Sequence, residues 1–263
     1  MHCHKIKLQI LLDIYLFYGN FFCHNGDSMA ADKKAFLKRL KKEKISKNII
    51  DAFDEVDREL FFETFLKDKL YQDEPLPIGL GQTSDSLMSL AKMLELMNLK
   101  KSWRVFEVGT GSGYSTAVLS LLVKEVVTID YHEKLVKTAK ERLVDNGYYN
   151  IRFYAGDASE VFGELKGNFN SMIILSACLQ RPLFLLTKLK KGSSAVYPMG
   201  PAFQQRITVF TDDEIEEKGE TVSNCTFHDF CTFPSMRGLY GWVDQSEGYK
   251  VGDNIGTIVD EVE

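Results

Sequence analysis

The chain has 263 residues, of which 44% are hydrophobic and 26% charged, the proportions of one large globular domain with a sizeable core. Its formal charge of -5 argues against a broad nucleic-acid surface, which needs a basic excess. Cys3, Cys23, Cys178, Cys225 and Cys231 form no C-x-x-C pair, so neither a disulfide framework nor a zinc site is signalled, and a reducing cytoplasm fits best.

Residues 1–28 differ from the rest. Lys5 and Lys7 precede an apolar run from Leu8 to Phe22, but Asp13 interrupts it and no small-x-small cleavage site follows. The run is also short for a transmembrane helix, so no membrane attachment is expected. His2, Cys3, His4, Cys23 and His24 lack zinc-type spacing, and no metal is expected. The expectation is that Met29 is the true start and that 1–28 is a non-native or disordered extension. Intact mass from the native host, starting at Met1, would overturn it. Residues 29–85 then form N-terminal helices and a loop, 86–245 a ligand-binding domain, and 246–263 a tail.

From 30 to 70 the apolar positions Phe36, Leu37, Leu40, Ile45, Ile49, Ile50, Phe53 and Val56 recur at helical spacing, with Ser46 as an N-cap. The lysines between Lys33 and Lys47 form the solvated side of this pattern. Pro75 and Pro77 open an extended loop through Gln82, and Leu87 to Leu99 is again helical.

Trp103 to Val108 reads as a strand, Gly109 to Gly113 as a glycine-rich turn, and Ser115 to Leu122 as a helix. Val126 to Ile129 is the next strand, ending at Asp130, and His132 to Asn146 a helix stopped by Gly147. Ile151 to Tyr154, Met172 to Leu175 and Ser194 to Tyr197 are further strands, with Leu183 to Leu189 helical. Such alternation predicts a doubly wound α/β fold with a mostly parallel sheet. Arg206 to Phe210 and Val222 to Phe233, separated by an acidic turn from Thr211 to Lys218, predict an antiparallel addition.

The central signal is Glu107-Val-Gly-Thr-Gly-Ser-Gly113, after a strand and before a helix. Glycine lets the backbone turn sharply and approach a ligand closely. The spacing is neither a dinucleotide fingerprint nor a P-loop. Asp130, at the end of the next strand, can accept from both ribose hydroxyls, with Tyr131 beside it. Asp157, in Gly156-Asp-Ala158, can accept from an adenine amino group. Together these residues describe a nucleoside pocket at the carboxyl ends of parallel strands.

Four stretches resemble the protein-L-isoaspartate O-methyltransferase family. They are Glu107 to Tyr114, Leu76-Pro-Ile-Gly-Leu-Gly-Gln-Thr83, Pro198-Met-Gly200 followed by Gln204 and Gln205, and Cys231 to Phe233 with Gly238 to Trp242. The resemblance spans about residues 40 to 242. It implies a Rossmann-like methyltransferase fold, S-adenosyl-L-methionine as methyl donor, and methylation of the α-carboxyl of isoaspartyl residues in damaged proteins or peptides. On this reading Glu107, Gly109, Thr110, Gly111, Ser112, Asp130, Tyr131, Gly156, Asp157 and Ala158 bind the cofactor, and Thr83 and Asp85 act on the acceptor. Oligomeric state is not legible.

Three departures stand out. Asp85 occupies the place of the family's active-site serine, Phe233-Pro-Ser-Met236 replaces Phe-Val-Pro-Leu, and Asn170 replaces an acidic residue. An ionised Asp85 would repel a carboxylate acceptor by about 1 kcal/mol in water and about 4 kcal/mol at an effective dielectric near 20. Three resolutions are open: Asp85 is protonated, Ser84 or Ser86 replaces the lost hydroxyl, or the acceptor is different. The alternatives for function are a methyltransferase with another acceptor and a cofactor-binding adaptor without turnover.

Overall fold

The computed structural model describes residues 33–238, apart from 162, 164, 166, 218 and 219, together with Thr257–Ile258. The expectations for residues 1–28, for Trp242 and for most of the 246–263 tail lie outside the described residues.

Two short helices lead. Helix α1 (Lys33–Lys42) buries Phe36 and Leu40, and α2 (Lys47–Glu55) buries Ile49, Ile50, Ala52 and Phe53. Phe36 and Phe53 meet edge to face at 5.4 Å. Ser46 has the extended backbone of an N-cap, but its side chain does not cap. Its N–H and hydroxyl both donate to Glu95 Oε2 at 2.7 Å, tying the helix start to a later element.

The helix expected through residue 70 stops at Glu55. Two 3-10 turns follow, Arg58–Phe61 and Thr64–Lys69. The Asp57 carboxylate accepts from the Glu59 N–H at 3.0 Å, and this local bond favours a tight turn over continued helix. The loop after Pro75 closes into a hairpin of β1 (Pro77–Gly79) and β2 (Gln82–Thr83). Helix α3 (Leu87–Leu96) is capped by Ser86, whose hydroxyl accepts from the Ser89 N–H.

Next come β3 (Arg104–Val108), α4 (Tyr114–Ser120), β4 (Glu125–Asp130), α5 (Glu133–Asp145) and β5 (Ile151–Ala155). After them come α6 (Ala158–Val161), β6 (Phe169–Ile174), α7 (Leu183–Leu186) and β7 (Leu189–Met199). The chain ends with β8 (Gln205–Glu217), β9 (Glu220–Cys231) and the two-residue β10 (Thr257–Ile258). One sheet runs in the order β10-β5-β4-β3-β6-β7-β8-β9. Strands β5 to β7 in that order are parallel, and β8, β9 and β10 pair antiparallel. This is the doubly wound sheet with its antiparallel addition.

The acidic segment from Thr211 is not a turn. Strand β8 continues to Glu217, paired with β9 from Glu214↔Ser223 to Glu217↔Glu220 after an irregularity in register. Pairing with a neighbouring strand outweighs the polar composition there.

Successive β3 residues face opposite layers: Val105 joins the core with the N-terminal helices and Phe106 the core on the other face. The winding reverses between β3 and β6, and this opens a crevice at the carboxyl ends of the central strands.

Candidate active site

The glycine turn leaves β3 at the crevice. Gly109, Gly111 and Gly113 have φ of 104°, 54° and 91°, values that side-chain-bearing residues rarely adopt. A Cβ on Gly111 would also approach Ile78 Cδ1 to 3.3 Å, because the β1–β2 hairpin lies over the turn.

Beneath the turn, Glu107 is fully buried. Its Cα partner on β4 is Thr128, so both project from the same face of the sheet. Glu107 Oε2 accepts from the hydroxyls of Thr116 at 2.5 Å and Thr128 at 2.6 Å, and Thr110 and Thr128 share a further hydroxyl bond at 2.7 Å. Oε1 has no partner. Burial pushes the Glu107 carboxyl up to about 7, against the opposing pull of the threonine hydroxyls. Glu107 therefore fastens the turn and α4 to the sheet from behind the cavity wall.

Asp130 stands at the rim. Its Oδ2 accepts from the Gly111 N–H and its Oδ1 from the His132 N–H, each at 2.9 Å. Two adjoining cavities share Gln82, Gly109, Asp130 and Pro234. One also takes in Thr83, Asp85, Thr110, Gly111 and Ser112, and the other Tyr131, Gly156 and Ala158. Asp157 does not line either. It is 5% exposed, accepts from the N–H and hydroxyl of Ser159, and is covered by Gly238, where a Cβ would run into the carboxylate.

The residues around Asp85 bear on the lost hydroxyl. Ser84 holds the hairpin shut: its oxygen accepts from the Leu76 N–H at 3.0 Å and its own N–H donates to Leu76 O. Ser86 is occupied in capping α3. Asp85, partly buried, keeps a cavity-lining position. Enclosure pushes its carboxyl up to about 8, Glu107 adds to the rise, and Arg58 opposes it. The shift favours the protonated form of Asp85, which has an O–H to donate.

The roof comes from the far end of the chain. Buried Gln205 donates from its side-chain N–H to Phe233 O at 3.0 Å and accepts from the Phe233 N–H at 2.6 Å. This clasp sets Pro234, whose carbonyl accepts from the Ala177 N–H beyond the end of β6.

The sequence model of Protein-L-isoaspartate(D-aspartate) O-methyltransferase (PCMT) matches residues 31–230. The Protein-L-isoaspartate O-methyltransferase of Petrotoga mobilis is 36% identical over 205 residues, 78% of this chain and 94% of that protein. The chain belongs to the protein-L-isoaspartate O-methyltransferase family. The relative of the same name from Dictyoglomus turgidum is 34% identical over 213 residues, 81% of this chain and 94% of that one. A solved protein-L-isoaspartate O-methyltransferase structure superposes with a TM-score of 0.68 at 25% identity, covering 80% of this chain and 67% of that one. A second, putative family member from Plasmodium falciparum, solved in complex with S-adenosyl-L-homocysteine, has a TM-score of 0.65 at 21% identity, covering 78% of this chain and 98% of that one, and supports the fold.

Within this family member, the structure brings to the cavities several residues that the sequence reading passes over: Arg58, Gln82, Tyr114, His132 and Pro234. Gln82 lies inside the loop motif, which is the signal that marks it in the sequence. Arg58 carries no spacing signal, because only the fold turns it inward from a 3-10 turn. Tyr71 packs against Phe36, His228 lies on β9 with its carbonyl accepting from Arg206, and neither lines these two cavities.

Proposed function

We propose that the protein is an S-adenosyl-L-methionine-dependent methyltransferase acting on the free carboxylate of isoaspartyl residues in damaged proteins. The observation that carries this reading is that one cavity is lined both by the glycine turn with Asp130 and by Thr83 and Asp85 from the hairpin. A donor site and an acceptor site sharing one wall are what direct transfer requires.

The wall fits the cofactor. A Cβ on Gly111 would fill the space under Ile78, so the bare backbone leaves room for a ligand. Each Asp130 oxygen uses one lone pair on a backbone N–H and retains capacity for ligand hydroxyls. Asp130, Tyr131, Gly156 and Ala158 would hold the nucleoside and Gly109 to Ser112 the amino-acid end. Asp157 would act from behind Gly156 and Ala158, by fixing the start of α6.

When bound, the cofactor supplies an electrophilic methyl group. The acceptor carboxylate is already a nucleophile at pH 7, so the protein's task is alignment and exclusion of water. Asp85 in its neutral form donates a hydrogen bond to the carboxylate, the service a serine hydroxyl would provide. Thr83 offers a second hydroxyl on the same wall. No helix among the described residues is long and apolar enough to cross a membrane. The support for a cytoplasmic location is the cysteine pattern, which carries no disulfide framework.

The test is to incubate the full chain with labelled S-adenosyl-L-methionine and an isoaspartyl peptide, with its aspartyl twin as control. Labelling of the isoaspartyl peptide alone is expected, and Asp85→Ser is expected to retain it. Cofactor binding without labelling of either peptide, in both proteins, would overturn the assignment in favour of another acceptor or an adaptor.

A further inference from the structure

Arg58 is 1% exposed, yet two of its guanidinium nitrogens, Nε and Nη2, are buried without a hydrogen-bond partner among the described residues. Its Cζ lies 4.5 Å from the centre of the Tyr114 ring and 4.7 Å from that of Phe62. The aromatic faces support the cation but leave Nε and Nη2 unanswered. The Tyr114 hydroxyl is likewise buried without a well-aligned hydrogen-bond partner among the described residues. Both residues line the cavity that holds Thr83 and Asp85.

Orphaned donors this deeply buried are rare in native proteins, and an unpaired buried cation is costly to maintain. A cation with unused N–H groups beside an unused hydroxyl calls for an anion with several lone pairs. Asp85 does not supply it. The guanidinium's charge draws on the Asp85 carboxyl, but enclosure outweighs that pull and favours the neutral form. Arg58 Nε and Nη2 therefore remain without a protein acceptor.

We infer that Arg58, with the Tyr114 hydroxyl beside it, binds the carboxylate of the acceptor and turns it toward the donor site. This rests on the isoaspartyl reading and adds the group that selects a carboxylate over a carboxamide. A guanidinium suits the task, because its planar fork can engage both carboxylate oxygens. The cofactor also carries a carboxylate, and the test separates the two sources.

The full chain, loaded with S-adenosyl-L-homocysteine, is titrated with an isoaspartyl peptide and with its α-carboxamide twin. In the parent the carboxylate peptide is expected to bind about 10- to 100-fold more tightly, the range of hydrogen bonds to a charged group. In Arg58→Met that preference is expected to fall to within about threefold, while S-adenosyl-L-homocysteine affinity stays within about threefold of the parent. Arg58→Lys keeps the charge and loses the fork, and is expected to retain part of the preference. It carries the test if the methionine variant does not fold. An unchanged preference in the variants overturns the inference. So does a loss confined to S-adenosyl-L-homocysteine affinity, which would make the bound carboxylate the cofactor's. A parent that neither binds nor methylates the isoaspartyl peptide overturns the functional reading itself. A parent that methylates it alongside an equally selective Arg58→Met overturns the Arg58 role alone.

Discussion

At position 85 a carboxyl group can serve an anionic acceptor only while it keeps its proton. Burial and the neighbouring Glu107 favour the protonated form, and Arg58 works against them. Turnover of isoaspartyl peptide is therefore expected to fall as pH rises through about 8, where Asp85 ionises. Asp85→Asn, whose amide donates without titrating, should remove that limb in a pH series of kcat/KM; an identical limb in the variant would rule out Asp85 as its source. Stability follows the same proton. Between the unfolded carboxyl value of about 3.9 and the folded value, the native state binds a proton that the unfolded chain has released. Asp85's contribution is thus fully present below the window and is lost as pH rises across it. Glu107 acts in the same direction, up to about 7. Thermal melts at about pH 5 and about pH 8.5 should show a decline in Tm that is smaller in Asp85→Asn than in the parent.

The glycine turn is held at the scale of elements, through β3, β4 and α4. Glu107 and Thr128 are register partners on adjacent strands, and Thr116 reaches the same carboxylate from the helix. Removing the acceptor strands buried hydroxyls, so Glu107→Ala is expected to cost roughly 2–4 kcal/mol in denaturant unfolding. Glu107→Gln keeps an oxygen in place and should cost under about 1 kcal/mol. Equal losses in the two variants would mean that the charge, rather than the acceptor oxygen, holds the turn. The hairpin over the turn is a second such unit: Ser84 closes it onto Leu76, which commits that hydroxyl to the backbone although Ser84 lines the cavity beside Asp85.

Over the whole molecule, the site is assembled from segments far apart in sequence. The 3-10 turn at Arg58, the hairpin, the ends of β3 and β4, and the segment after β9 meet where the sheet reverses its winding. Gln205 secures the last of these, and its two bonds to Phe233 hold Pro234 over both cavities. Gln205→Leu would bury an unanswered N–H and carbonyl. It is expected to lower stability by about 2–4 kcal/mol and to weaken S-adenosyl-L-homocysteine binding measurably by calorimetry. Full stability with parental affinity would show that the roof is held by other contacts.

The sequence by itself determined the architecture and the family. Strand-helix alternation is a local, periodic signal, and a turn such as Gly109 to Gly113 announces itself because few residues other than glycine adopt its dihedral angles. Asp130 was legible for a related reason, since it follows directly from the end of a strand. What only the tertiary structure decided was the surroundings of each side chain. Glu107 lies under the wall because a register pairing sets it opposite Thr128. Arg58 enters the cavity because the helix before it gives way to a tight turn. The protonation of Asp85 depends on neighbours 27 residues before it and 22 after it in the chain. Burial and electrostatics are sums over contacts that no spacing pattern encodes, and they separate a repulsive carboxylate from a hydrogen-bond donor.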